Sequence, residues 1–100
     1  MVDMRGLVIM KKFGYPVIFD ATHSIQMPSK EKGVSGGTPE MIPFLARAAA
    51  AVGVDGFFIE THPDPKKALS DANSMIRLDK MKKLLNELKQ IFLITKKFER

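Results

Sequence analysis

The sequence contains no cysteine. Disulfides and thiolate metal sites are therefore excluded within it, and a secreted disulfide scaffold does not fit. It also lacks any run of about 18 apolar residues, the least that reads as a membrane-spanning helix. Its beginning does not read as a secretory leader, because acidic Asp3 and the short apolar stretch from Leu7 to Met10 do not suit one. The cytoplasm is the expected compartment. Aromatic residues make up only 8% of the chain. Phe92 and Phe98 fall in the apolar rhythm of a helix, not within a basic stacking platform, so no nucleic-acid module is expected.

What is present is ordinary globular composition. The 100 residues are 45% hydrophobic and 27% charged, which bounds the chain to one domain or part of one. At this size about 60–70% of the unfolded surface is buried on folding, so the core is modest. The formal net charge is +5. Much of the excess lies late, in Lys80, Lys82, Lys83, Lys89, Lys96, Lys97 and Arg100, and reads as the solvated face of a helix with a frayed basic end.

Hydrophobic periodicity and turn residues divide the chain. Residues 3–13 read as a short helix, ended by Gly14-Tyr15-Pro16. Val17, Ile18 and Phe19 form an uninterrupted apolar run, the pattern of a strand buried on both faces. The polar group Asp20, Thr22, His23 and Ser24 ends it. Residues 26–37 form a long loop of the kind that often serves as a lid. Thr38 as N-cap and Pro39 at the first helical position then open an Ala-rich helix, which Gly53 closes. Phe57, Phe58 and Ile59 make a second strand, ending in Glu60, Thr61 and His62. A second loop follows, with a helical turn at Lys66–Leu69. The last helix, from about Asp79, carries Met81, Leu84, Leu85, Leu88, Ile91 and Phe92 at helical spacing.

Two buried strands joined by a helix read as a βαβ unit with parallel strands. His23 and Glu60 are about 37 residues apart, near the spacing such a unit requires. Parallel strands end on the same side, so their terminal polar residues gather at one rim, where catalysis occurs in barrels of this type. That rim would collect His23, Glu60, His62 and Asp71, with Asp20 pointing inward. Imidazole and carboxylate groups suit zinc, iron or manganese. They could equally move protons or polarise a carbonyl. A strand-end histidine is more often structural, and His62, beside Pro63, reads that way.

The segments FDATHSIQMP and GTPEMIPFLARAAAAVGVDGFFIETHPDPKKALSDA resemble those of the 3-deoxy-D-manno-octulosonate 8-phosphate (KDO8P) synthases, and VDMRGLVIM is similar to the helix before them. The heptulosonate synthases (DAHP synthases) of the same superfamily share the E-x-HP-x-P-x-x-A-x-SD loop, but ATHSIQ favours the octulosonate branch. The resemblance implies an α/β fold: residues 1–100 would be the C-terminal fragment of a (β/α)8 barrel, running helix, strand 7, helix 7, strand 8, helix 8.

It further implies condensation of phosphoenolpyruvate with D-arabinose 5-phosphate, releasing phosphate, in lipopolysaccharide biosynthesis. His23, Glu60 and Asp71 match the positions that hold a divalent metal (Zn, Fe or Mn) in metal-dependent members, with His23 and Asp71 also catalytic. Asp20, Gln26 and Ser35 match substrate-side positions, the last two on a loop that closes over the substrates. Three features depart from the family pattern. Gln26-Met27-Pro28-Ser29-Lys30 stands where the family often has QLPGG, so that both glycines are lost. Pro39 stands where an arginine is usual. SDANS replaces SDGPN, which points toward the metal-dependent branch. The family's members are well over twice this length and form homo-oligomers, so activity would require a chain supplying the missing strands. The alternatives are a non-catalytic remnant and a fragment of the DAHP type.

Overall fold

The computed structural model describes residues 2–25, 27–28, 35–36, 39–68 and 75–99. The first helix, α1 (Met4–Lys11), is started by Asp3, whose carboxylate accepts the Arg5 N–H. The charge-assisted cap satisfies one of the helix's orphan donors. Gly14 adopts a left-handed φ of 82° just beyond it, and the chain turns into β1 (Ile18–Asp20).

β1 lies parallel to β4 (Gly56–Phe58), pairing Ile18 with Gly56, Phe19 with Phe57 and Asp20 with Phe58. The helix between them, α2 (Ile42–Val52), follows a 3-10 turn at Pro39–Met41. Pro43 falls in the first turn of α2, where its missing N–H costs nothing. Gly53 closes α2 at a φ of 106°, a conformation that favours glycine. Thr38, the expected N-cap, lies outside the described residues, and Met41 precedes α2 without a side-chain cap bond.

The loops carry short strands that periodicity did not anticipate. β2 (Met27–Pro28) and β3 (Ser35–Gly36) pair antiparallel, and β5 (Thr61–His62) and β6 (Ile76–Arg77) pair parallel. Two-residue strands are too short to leave a hydrophobic pattern. The helical turn expected at Lys66–Leu69 is met by a 3-10 turn at Pro65–Lys67, with Leu69 outside the described residues. The last helix, α3 (Met81–Phe98), is preceded by another at Leu78–Lys80.

The core lies between β1–β4 and the helices. Val17, Phe19, Ala21, Ile42, Ala46, Ala49, Val54, Leu84 and Leu88 are buried there. Phe19 meets Phe57 edge to face at 6.4 Å. Small alanines on α2 let the helix approach its neighbours closely.

The expectation of strands buried on both faces fails. Ile18 is 57% exposed and Phe58 48% exposed. Successive strand residues point to opposite faces, so Phe19 meets the helices while Ile18 and Phe58 sit on the other face, which no described element covers. Two helix expectations also change. Leu85 is half exposed, and Phe98 is almost wholly exposed, not part of an apolar stripe.

Within the basic end, expected to fray, Lys96 and Glu99 are held in bonds, while Arg100 lies outside the described residues. Glu99 accepts hydrogen bonds from Lys11 Nζ at 2.7 Å and Lys96 Nζ at 3.0 Å. Lys11 also donates to the Gly53 carbonyl at 2.7 Å. Lys96 lies 3.5 Å from Asp55, whose other oxygen accepts the Val17 N–H at 2.8 Å. One charged cluster thus joins α1, the end of α2, the start of β1 and the end of α3. Its bonds hold Glu99 below the usual carboxylate range, through Lys11 first and then Lys96. Asp55 is lowered chiefly by the Val17 amide, and Lys96 is raised chiefly by Glu99. Among the described residues no helix is long and apolar enough to cross a membrane.

Candidate functional site

The candidate site forms where β1 and β4 end side by side. Past the last paired residues, Ala21 N–H still donates to the Phe58 carbonyl at 2.9 Å. The next link is a side chain. Thr22, fully buried, accepts the Glu60 N–H on its Oγ1 at 2.7 Å. This bond extends the pairing beyond the strands and fixes the height at which Glu60 leaves the sheet.

His23 begins a 3-10 turn, His23–Ile25. The turn is shaped by Asp20: Oδ1 accepts the Thr22 and His23 amides at 3.0 and 2.8 Å, and Oδ2 lies 2.7 Å from His23 Nδ1. Ser24 Oγ donates to the Asp20 carbonyl. An aspartate bonding amides two and three residues on is the usual way this side chain builds a tight turn. The His23 ring leans on Phe58, with centroids 6.2 Å apart and planes tilted by 30°. Its Nε2 then faces Glu60, 3.9 Å from Oε1.

The structure therefore brings together His23 and Glu60 of the expected metal set. Asp71 lies outside the described residues, as does Gln26. Ser35 is on β3, and its side chain is likewise outside the description. Asp20, expected on the substrate side, has its carboxylate on His23 and two backbone amides. Among the described residues His62 joins no cluster: its Nδ1 accepts the Asp64 N–H at 2.9 Å, a local turn bond. Among the described residues no group of three histidine, aspartate or glutamate side chains is placed to hold a metal ion.

One atom points to a ligand. Glu60 Oε2 is buried and has no hydrogen-bond partner among the described residues. A buried carboxylate oxygen without a donor is costly and calls for a proton, a donor or a cation. An imidazole nitrogen beside a carboxylate is a donor pair that suits zinc, iron or manganese. Sequence reasoning placed Thr22 in the polar strand end but missed its role. A buried threonine just past a strand end leaves no mark in composition or periodicity, and its role depends on a residue 38 positions away.

A family model described as the DAHP synthetase I family matches residues 1–97. A 2-dehydro-3-deoxyphosphooctonate aldolase of Legionella pneumophila (strain Corby) is 59% identical over 96 residues, which cover 96% of this chain and 35% of that protein. One from Xanthomonas campestris pv. campestris (strain B100) is 54% identical over 95 residues, covering 95% and 34%. The chain thus spans about a third of the length of these relatives. Among solved structures, a DAHP synthase of Thermotoga maritima superposes with a TM-score of 0.74 at 33% identity, covering 91% of this chain and 24% of that one. A truncated form of the T. maritima enzyme gives the same score and identity over 31% of its chain. The α/β arrangement is accordingly a portion of a (β/α)8 barrel.

Proposed function

Because the chain belongs to the DAHP synthetase I family, we propose that it forms part of the catalytic rim of a KDO8P synthase. The reaction joins phosphoenolpyruvate to D-arabinose 5-phosphate and releases phosphate, in lipopolysaccharide biosynthesis in the cytoplasm. A polypeptide carrying the remaining barrel strands is the partner this reading needs, with homo-oligomerisation as the family implies. The observation that carries it is the His23–Glu60 pair, 3.9 Å apart across adjacent parallel strand ends. The octulosonate branch is preferred to the heptulosonate one because identity to the curated octulosonate enzymes reaches 59%, against 33% for the solved heptulosonate synthases.

In this role His23 Nε2 and the Glu60 carboxylate would hold a divalent metal, with Asp71 assigned to it by motif match. Bound there, the metal would supply Lewis acidity toward the sugar aldehyde or the attacking water. Glu60 Oε2, buried and without a described donor, is then matched by a cation. Asp71 is assigned proton transfer as well, and Gln26 and Ser35 belong to the segment that closes over the substrates and excludes water.

Phosphate release from phosphoenolpyruvate and arabinose 5-phosphate is the test. It should be measured on the chain alone and after mixing with a polypeptide carrying the remaining strands. Turnover is expected only in the mixture. His23→Ala should lower it by at least about a hundredfold, in line with loss of a metal ligand or general acid–base group. A mixture that assembles but releases no phosphate, or a His23→Ala assembly at full rate, would contradict the proposal.

A further inference from the structure

We infer that Asp20 is a positioning residue: it sets the tautomer of His23, so that Nε2, the nitrogen facing Glu60, carries the lone pair. The significance of that lone pair rests on the metal reading above, but the tautomer itself does not.

At Nδ1 the geometry leaves little choice of proton position. An ionised carboxylate only accepts hydrogen bonds. Asp20 Oδ2 is 2.7 Å from His23 Nδ1, so that nitrogen must donate. In the neutral ring the other nitrogen is then unprotonated. Asp20 cannot easily turn away, because its Oδ1 is occupied by the Thr22 and His23 amides at 3.0 and 2.8 Å. The same carboxylate therefore builds the turn that carries His23 and orients the ring on that turn. A carboxylate behind a histidine is a recurrent support for a ligating imidazole, because it fixes ring angle and tautomer together. The Phe58 ring stands nearby, its centroid 6.2 Å from that of His23.

The isosteric variant Asp20→Asn makes the inference testable. Its amide oxygen must stay on the two backbone amides, since an NH2 group there would oppose two donors. That places the NH2 against His23 Nδ1. Nδ1 must then accept, and the proton moves to Nε2. The turn is kept while the tautomer reverses.

The chain has two histidines, and the second is an internal reference. His62 Nδ1 accepts the Asp64 amide at 2.9 Å, so its neutral ring carries the proton on Nε2. Nitrogen-15 spectra of the imidazole rings, recorded where both are neutral, should show opposite tautomers in the wild-type chain. In Asp20→Asn the two should match. Titration with Zn2+ should shift the His23 Nε2 signal in the wild type, with affinity about 10–100-fold weaker in the variant.

A wild-type His23 protonated on Nε2 overturns the inference, and this needs no variant. So does an Asp20→Asn chain that keeps the wild-type tautomer. Opposite tautomers with no Zn2+ response in either chain would uphold the role of Asp20 while counting against the metal reading.

Discussion

At the residue scale the strand-end site depends on hydrogen bonds between side chains and backbone amides. Thr22 shows this most clearly. Its hydroxyl is fully buried and accepts the backbone N–H of Glu60. Thr22→Val keeps the shape but removes the acceptor, leaving a part-buried amide unpaired. Such a loss costs about 1–3 kcal/mol. Urea denaturation should show a lower midpoint with an unchanged slope. A midpoint equal to the wild type would mean that the Glu60 amide finds water instead, and that Thr22 does not fix the height of Glu60. The polar turn after β1 was legible in the sequence as a candidate site. Its internal wiring was not, because the Thr22–Glu60 bond joins residues far apart along the chain.

At the level of elements, the two ends of the strands have different tasks. One end gathers His23 and Glu60. The other carries the cluster of Lys11, Asp55, Lys96 and Glu99 that ties three helices to β1. In barrels, the end opposite the catalytic rim usually serves stability. Asp55 and Glu99 have carboxyls held below their ordinary range. A lowered folded value means the bonds contribute above the unfolded value, about 4 for carboxylates, and are lost as pH falls through the folded one. The raised Lys96 adds a contribution that is present at neutral pH and fades only as pH climbs through its raised folded value. Glu99→Gln should therefore lower stability at neutral pH. The loss should stay below about 1 kcal/mol, because these groups are partly exposed and screened. The deficit should shrink toward zero as pH falls through the lowered folded value of Glu99, where the wild-type carboxyl is itself protonated. Denaturant midpoints at neutral and at acid pH would check this, and a deficit that persists unchanged in acid would contradict it. The run of lysines in the last third of the sequence suggested only a solvated face. That Lys96 instead meets Asp55 depends on how α3 crosses the end of β1.

For the whole molecule, the decisive fact is an uncovered face. The described structure measures 46 × 30 × 18 Å, a slab of helices on a two-stranded parallel sheet. Among the described residues β1 and β4 pair only with each other, so each offers an open edge. Ile18 and Phe58 stand exposed on the face away from the helices. In a closed barrel that face is the packed interior. Exposed edges and apolar surface of this kind favour association. Ile18→Ser combined with Phe58→Ser should reduce light scattering by the concentrated chain, and should weaken its assembly with the remaining strands. Unchanged scattering together with unimpaired assembly would show that this face is not what association buries.

The order of the main elements α1, β1, α2, β4 and α3, the glycine stop of α2 and the two polar strand ends were determined by the sequence alone. Each depends on residues close together in the chain: an apolar run, a turn former, a cap. Family membership was equally legible, because FDATHSIQ and ETHPDPKKALSD keep their order and spacing. Tertiary structure alone decided which face of each strand is bare, where Asp20 spends its carboxylate, and how Thr22 and Glu60 meet. Those outcomes follow from the register of β1 against β4 and from the crossing of α3. Both are long-range contacts, and neither has a signature in local pattern.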